Sequence, residues 1–240
     1  MGQLQQLWQS FTQNLSFVLV CAGIIAGLYL LSKLCERRLS GMHRISATRR
    51  MTIIAICGAL AAVLHILDFP LLFFAPEFYK LDFSELPVML CGFFLGPSAA
   101  VACQGLKILL KLLLKGTTTV FVGDFANFAV GCSLVLPAVT VYHFKKTRGF
   151  AILGLAVGTA VLSVFGSAFN AIYLLPKFSQ LFGLPLDSII AMGNAINGNI
   201  RSLSGFVLLA VAPLNLIKGL SVSLLTLLLY KRIARPLFGK

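Results

Sequence analysis

The chain has 240 residues, 58% of them hydrophobic and 11% charged, with 20 Lys+Arg against 7 Asp+Glu and a formal net charge of +13. A soluble domain carries roughly 25% charged residues, so the composition excludes a soluble enzyme and a disordered tail. In a soluble chain such a basic excess would point to nucleic acid; in one this apolar it points to membrane topology, and no nucleic-acid partner is expected.

One crossing of the bilayer core takes about 20 mostly apolar residues. The first such run is Leu15 to Ser32. No basic residue precedes it and a positive cluster follows it, the reverse of a cleavable signal peptide, so a retained helix is expected. Its Gly23 and Gly27 share a face that allows close helix contact or reflects composition alone. A basic connector then leads to a second run, Met51 to about Leu67. The block Leu86 to Leu114 is too long for one helix and contains Gly96-Pro97. Proline lacks an N–H and disfavours helix in the residue before it, so the block divides there into two short spans. Val120 to Tyr142, Phe150 to Leu175 and about Leu203 to Leu229 complete seven segments. The expected organisation is an extra helix and connector over residues 1–48, followed by a six-span unit over residues 49–240.

The charges sort by side. Lys33, Arg37, Arg38, Arg44, Arg49 and Arg50 follow the first span. Lys145, Lys146 and Arg148 lie between the fifth and sixth, and Lys231, Arg232, Arg235 and Lys240 end the chain. With seven spans all three stretches fall on one side, and Glu36 is the one acid among them. The positive-inside rule makes that side cytoplasmic, with the N-terminus outside and the C-terminus inside. The two long outer connections, Asp68 to Glu85 and Pro176 to about Arg201, mark the face on which a site would open, or are surface decoration.

Several chemistries lack their residues. The chain has no G-x-x-x-x-G-K-[ST] phosphate loop and no nucleophile elbow. The six cysteines have no C-x-x-C spacing and read as buried apolar groups without a disulfide. His43, His65 and His143 lie far apart without an acidic neighbour at ligand spacing, so no metal site is expected. No intramembrane carboxylate pair is evident; Asp124 is the one acid well inside a span, as a helix cap, a substrate contact or a lysine's partner. Neither a cofactor nor an enzyme activity is expected.

Ionisable groups within a span are functional candidates by default. Lys218 lies in the apolar run Pro213 to Leu229, with Asn215 three residues earlier on the same helical face. An amide and an ammonium together suit a heterocycle bearing imide and carbonyl groups. The competing reading is an interhelical hydrogen bond, with Lys218 reaching outward. Asn170 sits in the outer half of its span and could face the same cavity. Lys107 and Lys111, four apart, face a wet cavity, pair with acids or reach the outer surface. Ala55 and Ala59, with Ala62 close to the same face, form a smooth stripe for a partner helix or for packing within the bundle.

Taken in order, a wider set of residues is familiar. Arg49-Arg50-Met51 leads into Ala55-x-x-x-Ala59, then Leu81-Asp82-Phe83-Ser84-Glu85-Leu86-Pro87, Gly92-Phe93-Phe94-Leu95-Gly96-Pro97 and Leu106-Lys107-Ile108. Gly123-Asp124-Phe125-Ala126-Asn127 follows, then Asn170 before Tyr173 and Pro176, and Pro213-Leu214-Asn215-Leu216-Ile217-Lys218. Over roughly residues 49 to 235 the chain resembles the riboflavin-specific substrate-binding (S) component of energy-coupling factor (ECF) transporters. The resemblance implies an all-α membrane protein, a six-helix S-component bundle, to which this chain adds one N-terminal transmembrane helix. It implies a multi-pass protein of a bacterial cytoplasmic membrane. Riboflavin would be captured from outside, and a transmembrane coupling subunit with two cytosolic ATPase subunits would drive uptake. By the same resemblance Asn215, Lys218 and Asn170 contact the flavin ring, and Ala55 and Ala59 dock on the coupling subunit. The outer loop Asp68 to Glu85 covers the pocket, with Phe74, Phe78 and Tyr79 as candidates to lie over the ring. Lys107 is a further candidate contact; with Lys111, Lys115 or Arg201 it could receive the phosphate of flavin mononucleotide (FMN), an alternative ligand. The remaining alternatives are another vitamin, a membrane enzyme acting on lipid or an isoprenoid, or a partner protein without a ligand.

Overall fold

The computed structural model describes residues 12, 14–39, 46–71, 76 and 79–238. The helices in chain order are α1 (Leu15–Arg38), α2 (Ala47–Ile66), α3 (Glu85–Leu95), α4 (Pro97–Lys115), α5 (Val122–Lys145), α6 (Arg148–Phe169), α7 (Leu175–Phe182), α8 (Leu186–Ile196), α9 (Leu203–Phe206) and α10 (Ala212–Phe238). A π-helical turn, Asn170–Leu174, joins α6 to α7, and a second, Val207–Val211, joins α9 to α10. Between α2 and α3 a two-residue antiparallel ladder pairs β1 (Phe69–Pro70) with β2 (Lys80–Leu81) and closes the base of the first outer loop. Among the described residues six helical stretches are long and apolar enough to cross a membrane: Leu15–Arg38, Ala47–Ile66, Pro97–Lys115, Val122–Lys145, Arg148–Phe182 and Leu203–Tyr230. The molecule is an all-α membrane protein.

The third expected segment, α3, is shorter than a full span. Its 11 residues reach about 16 Å at 1.5 Å per residue, roughly half the hydrocarbon thickness. Non-helical backbone, residues 82–84, leads into it. Asp82 and Ser84 are 3% and 0% exposed, so the end of the outer loop runs inside the bundle before α3 starts. Irregular backbone is tolerated at such depth only when protein surrounds it, and nine of the eleven α3 residues are buried. Val88, Cys91 and Phe93 of α3 pack in one core with Cys103 of α4, Leu134 of α5 and Val222 of α10.

The chain reverses at Gly96-Pro97. Gly96 has φ 102°, a value favoured by glycine, and Pro97 starts α4, where its missing N–H breaks no helical bond. The α3–α4 hairpin is therefore antiparallel about this point. Glu85 and Lys107 lie nearly equidistant from it along the chain and come level with one another. The α5–α6 hairpin is closed by Lys146 in a left-handed conformation and by Thr147, whose hydroxyl accepts the Phe150 N–H. Gly154 and Gly158 lie directly against the backbone carbonyls of Ala138 and Leu134, where a Cβ would collide. That seam brings two backbones together as small residues allow in membranes.

Helix α1 lies on this bundle. Ile25, Leu28 and Tyr29 pack on Val101, Ile108, Phe128 and Cys132 of α4 and α5, and Phe17 meets Phe125 edge-on with ring centroids 6.2 Å apart. At the other end Glu36 accepts from the Ser98 N–H (2.6 Å) and hydroxyl (2.8 Å) at the start of α4. Arg50 donates to the same Ser98 oxygen at 2.6 Å. A carboxylate there meets exposed backbone donors and the positive end of the helix dipole. Gly23 and Gly27 have no atom within 4 Å of where a Cβ would stand, so neither is used in close packing by the described residues.

Candidate functional site

Five helices, α2, α3, α4, α5 and α10, and the end of the outer loop converge inside the bundle. Lys107 is nine residues into α4 from Ser98, about 14 Å along the axis. It is fully buried and donates to Glu85 Oε1 (3.0 Å), Ser84 Oγ (2.9 Å) and Asn127 Oδ1 (2.8 Å). An ammonium has three N–H bonds, so these acceptors occupy all of them. Lys218 of α10, 9% exposed, pairs with Glu85 Oε2 at 2.9 Å and Asp82 Oδ2 at 3.2 Å. Asp82 also accepts from the Ser84 N–H at 2.8 Å and contacts His65 Nδ1 at 3.3 Å. Glu85 thus bridges the two lysines, and two carboxylates balance two ammoniums. Unpaired, any of these charges would be strongly disfavoured away from water; paired and hydrogen-bonded, they persist.

Beside this network lies a second polar group. Asn170, at the start of its π turn, accepts from the Tyr79 hydroxyl at 2.8 Å and donates to the Gly166 carbonyl at 2.7 Å. Burial pushes the Tyr79 phenol pKa up, so Tyr79 remains a donor. Asn215 of α10 lies against Gly166, where a Cβ would stand 2.7 Å from its Nδ2. Asn215 is 6% exposed, and its Nδ2 finds no hydrogen-bond partner among the described residues. Ser167 Oγ, three residues before Asn170, is also buried without one. Buried polar atoms are rarely left unpaired, and these two lie on neighbouring helices, each within a turn of an expected ligand contact. Both helices carry a π turn here, a feature that recurs at functional sites.

The structure thus gathers Asn215, Lys218, Asn170, Tyr79 and Lys107. Phe74 and Phe78 lie outside the described residues. Of the readings open for Lys107, pairing with acids is what is observed. Lys218 is held inward by carboxylates and does not reach outward. Ala55 and Ala59 are exposed on α2, whereas Ala62 is 1% exposed and faces the bundle, so the exposed stripe ends at Ala59.

Two expectations need correction. Asp82 and Glu85, placed by sequence in an outer loop, form the intramembrane carboxylate pair that seemed absent. His65 does have an acidic neighbour, Asp82, which chain folding supplies and local spacing does not. Of the readings open for Asp124, the lysine's partner is what is observed: it binds Lys111 at 2.5 Å and accepts from Thr117 Oγ1 at 2.7 Å. One signal for the missed pair was available, since Glu85 and Lys107 are nearly symmetric about Gly96-Pro97. Ser167 gave none.

Comparison with known proteins now fits this geometry. A family model described as "ECF transporter, substrate-specific component" matches residues 49–230. The chain belongs to this family. It is 33% identical over 186 residues to the riboflavin transporter RibU of Staphylococcus aureus (strain TCH60), covering 78% of this chain and 90% of that protein. It is 28% identical to the riboflavin transporter FmnP of Bacillus subtilis (strain 168), covering 77% and 92%. A solved structure of the S component of a bacterial ECF transporter superposes with TM-score 0.63 at 33% identity, covering 80% of this chain and 99% of that one. This family member is a transport subunit that binds substrate, not an enzyme.

Proposed function

We propose that the chain captures riboflavin for uptake by an ECF transporter. The observation that carries this reading is the unpartnered Asn215 Nδ2 one turn from Lys218, whose third N–H is uncommitted in the contacts described above. An amide and an ammonium with open donor positions match the carbonyl- and imide-bearing edge of a flavin, and the relatives named as riboflavin transporters support that choice. Asn215 and Lys218 hydrogen-bond the ring. Asn170 joins them from α6, with Tyr79 holding its amide in place. Lys107 supports the site through Glu85 and does not touch the ligand, because its donors are occupied.

The uncharged vitamin is favoured over FMN. Of the candidate phosphate receivers, Lys107 and Lys111 are neutralised by Glu85 and Asp124, and Lys115 and Arg201 are exposed at the surface, away from the buried network. The end of the bundle carrying Lys145, Lys146, Arg148 and Arg50 faces the cytoplasm, which places the N-terminus outside and opens the site outward. The exposed Ala55 and Ala59 stripe receives the transmembrane coupling subunit, and two ATPases act through that subunit. Residues 49–240 form the transport unit and residues 1–48 an added anchor in a bacterial cytoplasmic membrane.

The test is a titration of the purified full chain with riboflavin and, separately, FMN, read by quenching of flavin fluorescence. Saturable quenching at one riboflavin per chain, and weaker quenching by FMN, is expected. A folded chain that leaves both ligands unquenched contradicts the reading.

A further inference from the structure

Resting on the assignment of Lys218 as a ligand donor, we infer that Asp82 and Glu85 are the positioning residues of this site, aiming the Lys218 ammonium and linking the outer loop to it. Lysine carries a flexible four-carbon stem whose ammonium rotates freely. In an apolar bundle it has no fixed direction unless acceptors define one. Here two acceptors do: Glu85 Oε2 at 2.9 Å from the start of α3, and Asp82 Oδ2 at 3.2 Å from the loop. With two N–H bonds fixed, the third has a defined direction. The carboxylates are themselves held, Glu85 by Lys107 (3.0 Å) and the Ser84 hydroxyl (3.3 Å), and Asp82 by the Ser84 N–H and His65. Lys218, Lys107, His65, Asp82 and Glu85 are the ionisable groups of this network.

The same loop supplies both supports of the site. Tyr79 ends on Asn170 and Asp82 ends on Lys218, with only the β2 pair Lys80–Leu81 between them. One short segment therefore orients a polar group on each of the two helices offered to the ligand. Displacing that segment would disturb both groups at once.

The test compares native chain with Asp82→Asn, Glu85→Gln, Lys218→Met and the double variant Asp82→Asn/Lys218→Met. Riboflavin affinity and the visible absorption spectrum of the bound flavin at saturation are recorded. A cation fixed at the ring edge perturbs the flavin's electronic transitions. Asp82→Asn and Glu85→Gln are each expected to weaken binding about tenfold, as loss of positioning does at other sites. Their bound spectra should move towards that of Lys218→Met, and the double variant should bind no more weakly than Lys218→Met alone. Asp82→Glu keeps the charge and is expected to retain affinity within a few-fold, which separates positioning from a general loss of folding. The inference is overturned if Asp82→Asn and Glu85→Gln bind with native affinity and native spectrum. It is equally overturned if the losses add in the double variant, or if Asp82→Glu is as weak as Asp82→Asn. A native chain that binds no flavin removes the functional reading and this inference with it; a native chain that binds, beside indifferent variants, removes only the inference.

Discussion

Two regions of the molecule join carboxylates to cations, and they differ in what is left over. At the basic end, Glu36, Ser98 and Arg50 close on one another: the carboxylate takes the Ser98 N–H and hydroxyl, and Arg50 donates to the same oxygen. Beside the buried network of Asp82, Glu85, Lys107 and Lys218, Asn215 Nδ2 and Ser167 Oγ remain without partners among the described residues. The first arrangement is complete and fastens α1 to the bundle. The second leaves buried polar atoms unsatisfied among the described residues. Charge pairing is common to both, half-buried at Glu36 and Arg50 and buried in the network; the unpartnered Asn215 Nδ2 and Ser167 Oγ are what the second region has and the first arrangement lacks.

The largest expected effect is at Lys218. Lys218→Ala should weaken riboflavin binding by roughly 100-fold or more and also destabilise the chain by about 3–5 kcal/mol, because Asp82 and Glu85 then lack a counter-charge. Titration and thermal unfolding of the same preparation check both, and unchanged affinity would place the site elsewhere. Asn215→Ala removes a donor without a partner among the described residues. It should lower affinity about tenfold, at the scale of one buried hydrogen bond, and leave the unfolding temperature of the ligand-free chain nearly unaltered. A marked loss of ligand-free stability would show that Asn215 serves the fold.

The opposite region should respond in the opposite way. Glu36→Gln weakens the joint at the α4 N-terminus and should cost about 1–2 kcal/mol, the range for losing a helix cap, with riboflavin affinity unchanged. A change in affinity would break the division between joint and site. Ala55→Trp with Ala59→Trp offers the finest separation. Flavin binding by the isolated chain should be native, while riboflavin uptake by cells expressing it with its coupling and ATPase subunits should fall. Undiminished uptake would remove this stripe from the docking surface.

Much of this architecture was legible because apolar length and basic charge are local signals. The six long crossings and the break at Gly96-Pro97 can be read from runs of residues, as can Asn215 and Lys218 as polar groups out of place in one. The missed features are relations between distant segments. Asp82 and Glu85 look like loop acids because their neighbours include Tyr79, Lys80 and Ser84. Only tertiary packing draws that backbone into the bundle ahead of the short α3. His65 meets Asp82 across 17 residues for the same reason. Ala62 shares a helical face with the stripe in an ideal projection, yet the packed bundle turns it inward. The π turns at Asn170 and Val207 leave no mark in composition, because each inserts a residue into helices that otherwise read as continuous.

The central claim is that a buried amide and a pinned ammonium on α10 hold riboflavin. The most direct measurement is the bound-state spectrum and stoichiometry of the purified full-length chain titrated with riboflavin, beside Lys218→Met. One flavin per chain with a perturbed visible spectrum, lost or displaced in the variant, is the expected result. A folded native chain that binds no flavin, or a variant that binds with the native spectrum and affinity, would contradict it.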